Sequence, residues 1–150
     1  MKSGWALSLR RLLLLYSTLA VILFIFFHSL MTAQESGAVS GALHQRWEAI
    51  FGWLPFYSHL FLRKAAHFAE YALLGLHVPF YAVLWRKGAW ASACLFAVAV
   101  LDEGVQRLVP GRAASLVDVA LDLGGVCFGA LLSVLFLLAL GNRQKKKEKM

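Results

Sequence analysis

Five of the chain's eight acidic side chains, Glu70, Asp102, Glu103, Asp118 and Asp122, fall inside long apolar stretches of the sequence. Charges in such stretches are expensive in a bilayer, so they face a bundle interior and mark a site by default. Their spacing sorts them further. Lys64, His67 and Tyr71 stand at i, i+3 and i+7. Asp102 and Gln106 stand at i and i+4, and Ser115, Asp118 and Asp122 at i, i+3 and i+7. On helices, each set occupies one face. A histidine among carboxylates can move protons; an arginine beside a lysine can clamp a phosphate or carboxylate. Taken singly, each residue has a duller reading. His67 could be a bonded core histidine, Asp118 and Asp122 could pair with Lys64, Arg63 or Arg112, and Glu70 and Tyr71 could snorkel to the interface. Gathered in one leaflet, they predict a functional polar pocket.

The elements that must position these residues follow from composition. The 150 residues are 60% hydrophobic and 15% charged, against about 45–50% and about 25% in a soluble domain. That excess of apolar surface excludes disorder. Cys94 and Cys127 form no framework and no CxxC, and both read as small buried hydrophobes. A membrane helix needs roughly 20 mostly apolar residues. Runs of this kind predict an all-α, polytopic membrane helical bundle with four transmembrane helices, at about 12–30, 65–85, 89–109 and 115–140. Lys2, Arg10 and Arg11 ahead of the first run resemble the start of a signal peptide, but the core is long and no Ala-x-Ala site follows, so it reads as an uncleaved anchor.

Basic residues set the orientation. Ten Lys/Arg lie at the two termini and the turn at 86–88; five (Arg46, Arg63, Lys64, Arg107 and Arg112) lie on the other side. The chain is therefore expected N-in and C-in, with an outer loop at 31–62 and a basic cytoplasmic tail at 141–150. The net charge of +7 is mainly a topology signal, not a nucleic-acid face. All three polar groups then sit in the outer half of the membrane. In the outer loop, Val39, Leu43, Trp47, Ile50 and Phe51 share a helical face, followed by Trp53, Phe56, Tyr57 and Phe61 around Pro55. This predicts a short surface helix, either an interfacial anchor or a lid. Gly125 and Gly129 form a Gly-x3-Gly that would admit another helix, so self-association is allowed.

Three segments carry a family resemblance: LRKAAHFAEYALLG at 62–75, DEGVQRLVPGR at 102–112 and SLVDVALDLGG at 115–125. Together they resemble the VanZ-like family, whose pattern is K-x2-H-F-x-E-Y-x2-L-G followed by D-E-x2-Q-x3-P-G-R-x-x-S-x2-D-x3-D-x2-G. The resemblance spans roughly residues 20–135 and makes the whole chain one VanZ-like membrane domain. It carries Lys64, His67, Glu70, Tyr71, Asp102, Glu103, Gln106, Arg112, Ser115, Asp118 and Asp122 as ligand-binding candidates. The end of the first helix departs from the serine-rich segment frequent in the family, and Ser29 is given no role. The founding member is associated with low-level teicoplanin resistance, so the resemblance implies a bacterial cell-envelope protein in the plasma membrane.

Three functions are weighed. The first is a non-enzymatic pocket for a lipid-linked wall precursor or an acylated glycopeptide. The second is a membrane enzyme acting on a lipid-linked phosphate, with His67, Glu70, Asp102, Glu103 and Asp118 as acid/base or metal-holding candidates. No H-E-x-x-H, nucleophile elbow or P-loop accompanies them, and no metal or cofactor is assigned. The third is a proton-coupled carrier, ranked last because the inner halves of the helices lack matching polar residues. His28, His44, His59 and His77 are assigned no role.

Overall fold

The computed structural model describes residues 2–51, 59–85, 88–112 and 115–148. All regular structure among them is helical: α1 (Lys2–Ser29), α2 (Ala33–Phe51), α3 (His59–Gly75), α4 (Val78–Trp85), α5 (Gly88–Gln106) and α6 (Leu116–Glu148). Trp5–Ser29, Phe61–Trp85 and Leu116–Arg143 are long and apolar enough to cross a membrane. Large hydrophobic side chains such as Leu13, Leu23, Leu131 and Phe136 stand on the outer surface. A surface of that kind is a liability in water and fits lipid.

The helix bounds differ from the sequence expectation in physically readable ways. The first helix begins at Lys2 rather than near 12, and the last runs on through the basic tail to Glu148. The expected helix 65–85 is two helices with a turn at 76–77. Pro79 is the reason: it lacks the N–H that an uninterrupted helix would donate back to Gly75, and it is tolerated in the first turn of α4. The Leu76 carbonyl at this break accepts from Ser133 Oγ at 2.8 Å. At the far end of α4, Arg11 Nε and Nη2 donate to the Leu84 carbonyl at 3.1 and 2.8 Å, and the guanidinium lies 5.5 Å from the Trp85 ring centre. That cation at a helix C-terminus satisfies a carbonyl with no helical partner.

Helices α3 and α6 make the most extensive contact in the molecule. Glycines permit it. A Cβ at Gly125 would come within 2.6 Å of the Phe68 carbonyl oxygen, and one at Gly75 within 2.1 Å of the Val126 carbonyl oxygen. The Gly-x3-Gly face of α6 is thus filled by α3 of the same chain. The core beside it consists of Ile25, Tyr71, Leu74, Leu95, Val98, Ala99 and Val126. Cys94 and Cys127 correct the sequence expectation, since both are exposed on the bundle exterior. Apolar residues need not be interior where the surroundings are as apolar as the core.

The segment expected as the outer loop at 31–62 includes the helix α2, which has no buried residue of its own. Its start is a capping box. Thr32 Oγ1 accepts from the Glu35 N–H at 3.2 Å, while Glu35 Oε2 accepts from the Thr32 N–H at 2.8 Å and from its hydroxyl at 2.9 Å. The hydrogen bonds from the Thr32 backbone and then its side chain hold the Glu35 carboxyl below its ordinary value near 4.5. A lowered folded pKa stabilises above the unfolded value and is lost as pH falls through the folded one. Acidifying through and below pH 4.5 is therefore expected to lower the amide protection factors at 33–36, and Glu35→Gln is expected to remove that pH dependence while leaving the protection factors in α3 unchanged. Trp53, Pro55, Phe56 and Tyr57 lie outside the described residues.

Candidate functional site

The ends of α1 and α5 and the start of α6 meet at one end of the bundle, and local sequence sets each of them. Helix α1 ends at His28-Ser29. Helix α5 stops after Gln106, three residues short of the expected 109, because Pro110 and Gly111 reverse the chain. Gly111 has φ +78°, and the Arg112 N–H donates to the Val109 carbonyl at 3.2 Å. This suits a type II turn, which places Gly third. A Cβ at Gly111 would also meet the Ala33 side chain at 3.0 Å. Helix α6 then starts at Ser115, whose hydroxyl accepts from the Val117 N–H at 3.2 Å, while its own N–H donates to Glu103 Oε1.

A cavity of about 230 Å³ opens between these ends. Six of the eleven sequence candidates line it: Lys64, His67, Gln106, Arg112, Asp118 and Asp122. Ala33, Arg63, Gly111 and Leu121 complete the wall. Lys64 Nζ lies 3.0 Å from Asp118 Oδ1 and bridges α3 to α6. Arg112 Nη2 donates to the His28 carbonyl at 3.1 Å, closing the C-terminus of α1. Burial, then the like charge of Arg63, pushes the Arg112 guanidinium below its usual value. Two guanidinium groups therefore share one wall, and Arg63 makes no ion pair among the described residues.

The other candidates are placed differently. Asp102 is fully buried behind the wall, with Oδ2 accepting from Gln106 Nε2 at 2.9 Å. The Tyr71 side chain is also fully buried, and its hydroxyl has no hydrogen-bond partner among the described residues. Glu103 and Ser115 are not among the residues lining this cavity and are engaged in starting α6. Glu70 faces an adjoining cavity of about 160 Å³, which is shared with His67, Arg63 and Arg112 and roofed by Ser36, Val39, Ser40 and Leu43 of α2. Helix α2 thus stands over the polar end as a cover.

Two residues given no role by the sequence reading belong here. His28 Nδ1 lies 2.6 Å from Glu70 Oε1, and the His28 ring packs on Phe24 at 4.4 Å between centroids. Ser29, fully buried, accepts from Gln106 Nε2 at 3.3 Å. A lone histidine within a span was the available signal, since any ionisable group there counts as a candidate. Toward the other end, the structure also amends the expected lack of polar groups. Tyr81 donates to Thr18 Oγ1 at 3.0 Å, and His77 Nε2 lies 3.2 Å from Ser17 Oγ. These are paired hydroxyl and ring groups joining α1 to the α4 region, with no carboxylate among them.

The fold and site together define a small multi-pass helical membrane protein with a polar cavity between its helix ends. The family model for VanZ/LLP1 matches residues 13–137, and the chain belongs to that family. Neither a curated protein nor a solved structure matches it.

Proposed function

We propose that this VanZ-like protein binds the anionic headgroup of a lipid-linked cell-wall precursor in its polar cavity, at the outer face of a bacterial plasma membrane. The observation that carries this reading is the pair Arg63 and Arg112 on one cavity wall. Each is a planar guanidinium, and they repel one another. An anion between them relieves that repulsion and can accept bidentate hydrogen bonds. The Lys/Arg asymmetry supports the orientation. In this topology α1, α3 with α4, α5 and α6 form four spans, both termini are cytoplasmic, and the cavity faces outward under α2.

Arg112→Ala is expected to weaken binding of a polyprenyl pyrophosphate to purified protein by tenfold or more, about 1.4 kcal/mol at the threshold. Equal affinity for wild type and variant would remove this reading. The tie to antibiotic susceptibility is tested in a susceptible Gram-positive host. The expected result is a rise in the inhibitory concentration of teicoplanin but not of vancomycin, lost in His67→Ala, Asp118→Ala and Arg112→Ala at matched membrane levels. No shift in any strain would separate the pocket from resistance.

Catalysis on the same lipid phosphate is the second reading. It is favoured by one observation, the placing of His67 beside two buried carboxylates. Turnover of the lipid phosphate by wild type, lost in His67→Ala, would raise it above simple binding.

A further inference from the structure

Asp102 and Asp122 are 0% and 2% exposed, and neither makes an ion pair with a described residue. One carboxylate oxygen of each, Oδ1, is buried without a hydrogen-bond partner among the described residues, and so is His67 Nδ1. The His67 ring and the two carboxylates can each direct one donor atom to a common point, all within 4.8 Å of one another. Uncompensated carboxylates in a low-dielectric interior carry a penalty of several kcal/mol each. Three buried side chains that converge on a shared point, each with an unpartnered ring nitrogen or carboxyl oxygen, are what a cation would satisfy at once.

From this convergence we propose that His67, Asp102 and Asp122 hold one divalent first-row metal ion, such as Mn²⁺ or Zn²⁺, beside the polar cavity. The donor set points to that class. Imidazole suits transition metals and carboxylates suit harder ions, so one nitrogen with two oxygens excludes the thiophilic ions and disfavours Ca²⁺, which takes six to eight oxygens. Donors about 2.1 Å from one tetrahedral ion are about 3.4 Å apart. Starting within 4.8 Å of one another, the side chains need to close by at most about 1.4 Å, shared among three rotatable groups. The supporting hydrogen bonds are already made. Gln106 Nε2, itself bonded to Ser29 Oγ, holds Asp102 by Oδ2 and leaves Oδ1 free. Outer partners of this kind orient metal ligands, and their loss typically lowers affinity 10- to 100-fold. Three protein ligands leave room for an exchangeable one, and a headgroup oxygen in the cavity could supply it. That last point rests on the lipid-binding reading; the metal site does not.

The test uses untagged, full-length protein in a phosphate-free maltoside detergent, stripped with chelator and titrated with Mn²⁺. One Mn²⁺ per chain is expected to lose the free-ion paramagnetic resonance signal, and Zn²⁺ is expected to displace it. Electron spin echo modulation from one imidazole nitrogen is expected on the wild-type protein, which needs no variant to fold. Among variants that keep the wild-type elution profile and melting temperature, Asp122→Asn and His67→Gln are each expected to weaken Mn²⁺ binding at least tenfold, and Gln106→Leu by 10- to 100-fold. Ser17→Ala, toward the other end of the bundle beside His77, is expected to change nothing. No bound Mn²⁺ or Zn²⁺ at millimolar concentration, no nitrogen modulation, or binding that survives all three variants would each overturn the proposal. If pyrophosphate binding that depends on Arg112 persists while metal binding fails, only this inference falls.

Discussion

Gly129→Ala is expected to unseat α6 from α3 and to abolish a monodisperse, folded protein at ordinary temperature. The added Cβ would stand 1.9 Å from the Ala72 carbonyl oxygen, 2.7 Å from its carbonyl carbon and 3.0 Å from the Leu76 nitrogen. All three are backbone atoms, so no side chain can swing aside and one helix must move. Overpacking of this severity costs about 3 kcal/mol or more. It also shifts Asp118 and Asp122 relative to Lys64 and His67, so the cavity goes with the interface. Gly37→Ala gives the opposite sign. Gly37 lies in α2 with nothing within 4 Å of a Cβ, and an exposed helical Gly→Ala gains up to about 1 kcal/mol. Melting in detergent, followed by the helical signal, checks both. A Gly129→Ala protein as stable as Gly37→Ala would contradict this account of the interface.

The second large effect is expected at the His28–Glu70 pair. His28→Phe keeps an aromatic ring for Phe24 but removes the partner that lies 2.6 Å from Glu70 Oε1. The Glu70 side chain is only 13% exposed and its other oxygen is already unpartnered among the described residues. Leaving a buried carboxylate without its partner costs about 2–3 kcal/mol or more. The double variant His28→Phe with Glu70→Leu is expected to cost clearly less than the two single losses added, because it leaves no orphan. Additive losses would mean that the two groups do not act as a pair.

These two cases show what was legible in the sequence. Periodicity put His67 with Lys64, and Asp118 with Asp122, on shared faces, and the structure brings them to one cavity. Apolar runs gave the helical membrane class, but not the break at 76–77. There the decisive factor was a local one, the missing N–H of Pro79, inside a stretch whose hydropathy is continuous. Spacing could not tell a ligand from a cap. Glu103 and Ser115 share the register of the site residues, yet they are engaged in starting α6. The same pattern could be read as a cap, since Ser115 and Asp118 have the Ser-x-x-acid spacing of a helix start. Ser29 and His28 were missed for a different reason. Their partners lie 77 and 42 residues away in sequence, and no local pattern encodes that approach.

The Gly-x3-Gly shows the same limit from the other side. Its sequence says that a helix will come close without saying which one. Only the three-dimensional arrangement assigns it to α3, where Gly75 offers a matching gap.

The central claim is that the cavity recognises the charged headgroup rather than the lipid tail. The direct measurement is the affinity of purified protein in nanodiscs for a polyprenyl pyrophosphate and for the same polyprenol without its phosphates. The account predicts at least about a 100-fold preference for the pyrophosphate, some 2.7 kcal/mol, weakening as salt screens the site. Equal affinity for the two lipids would contradict it.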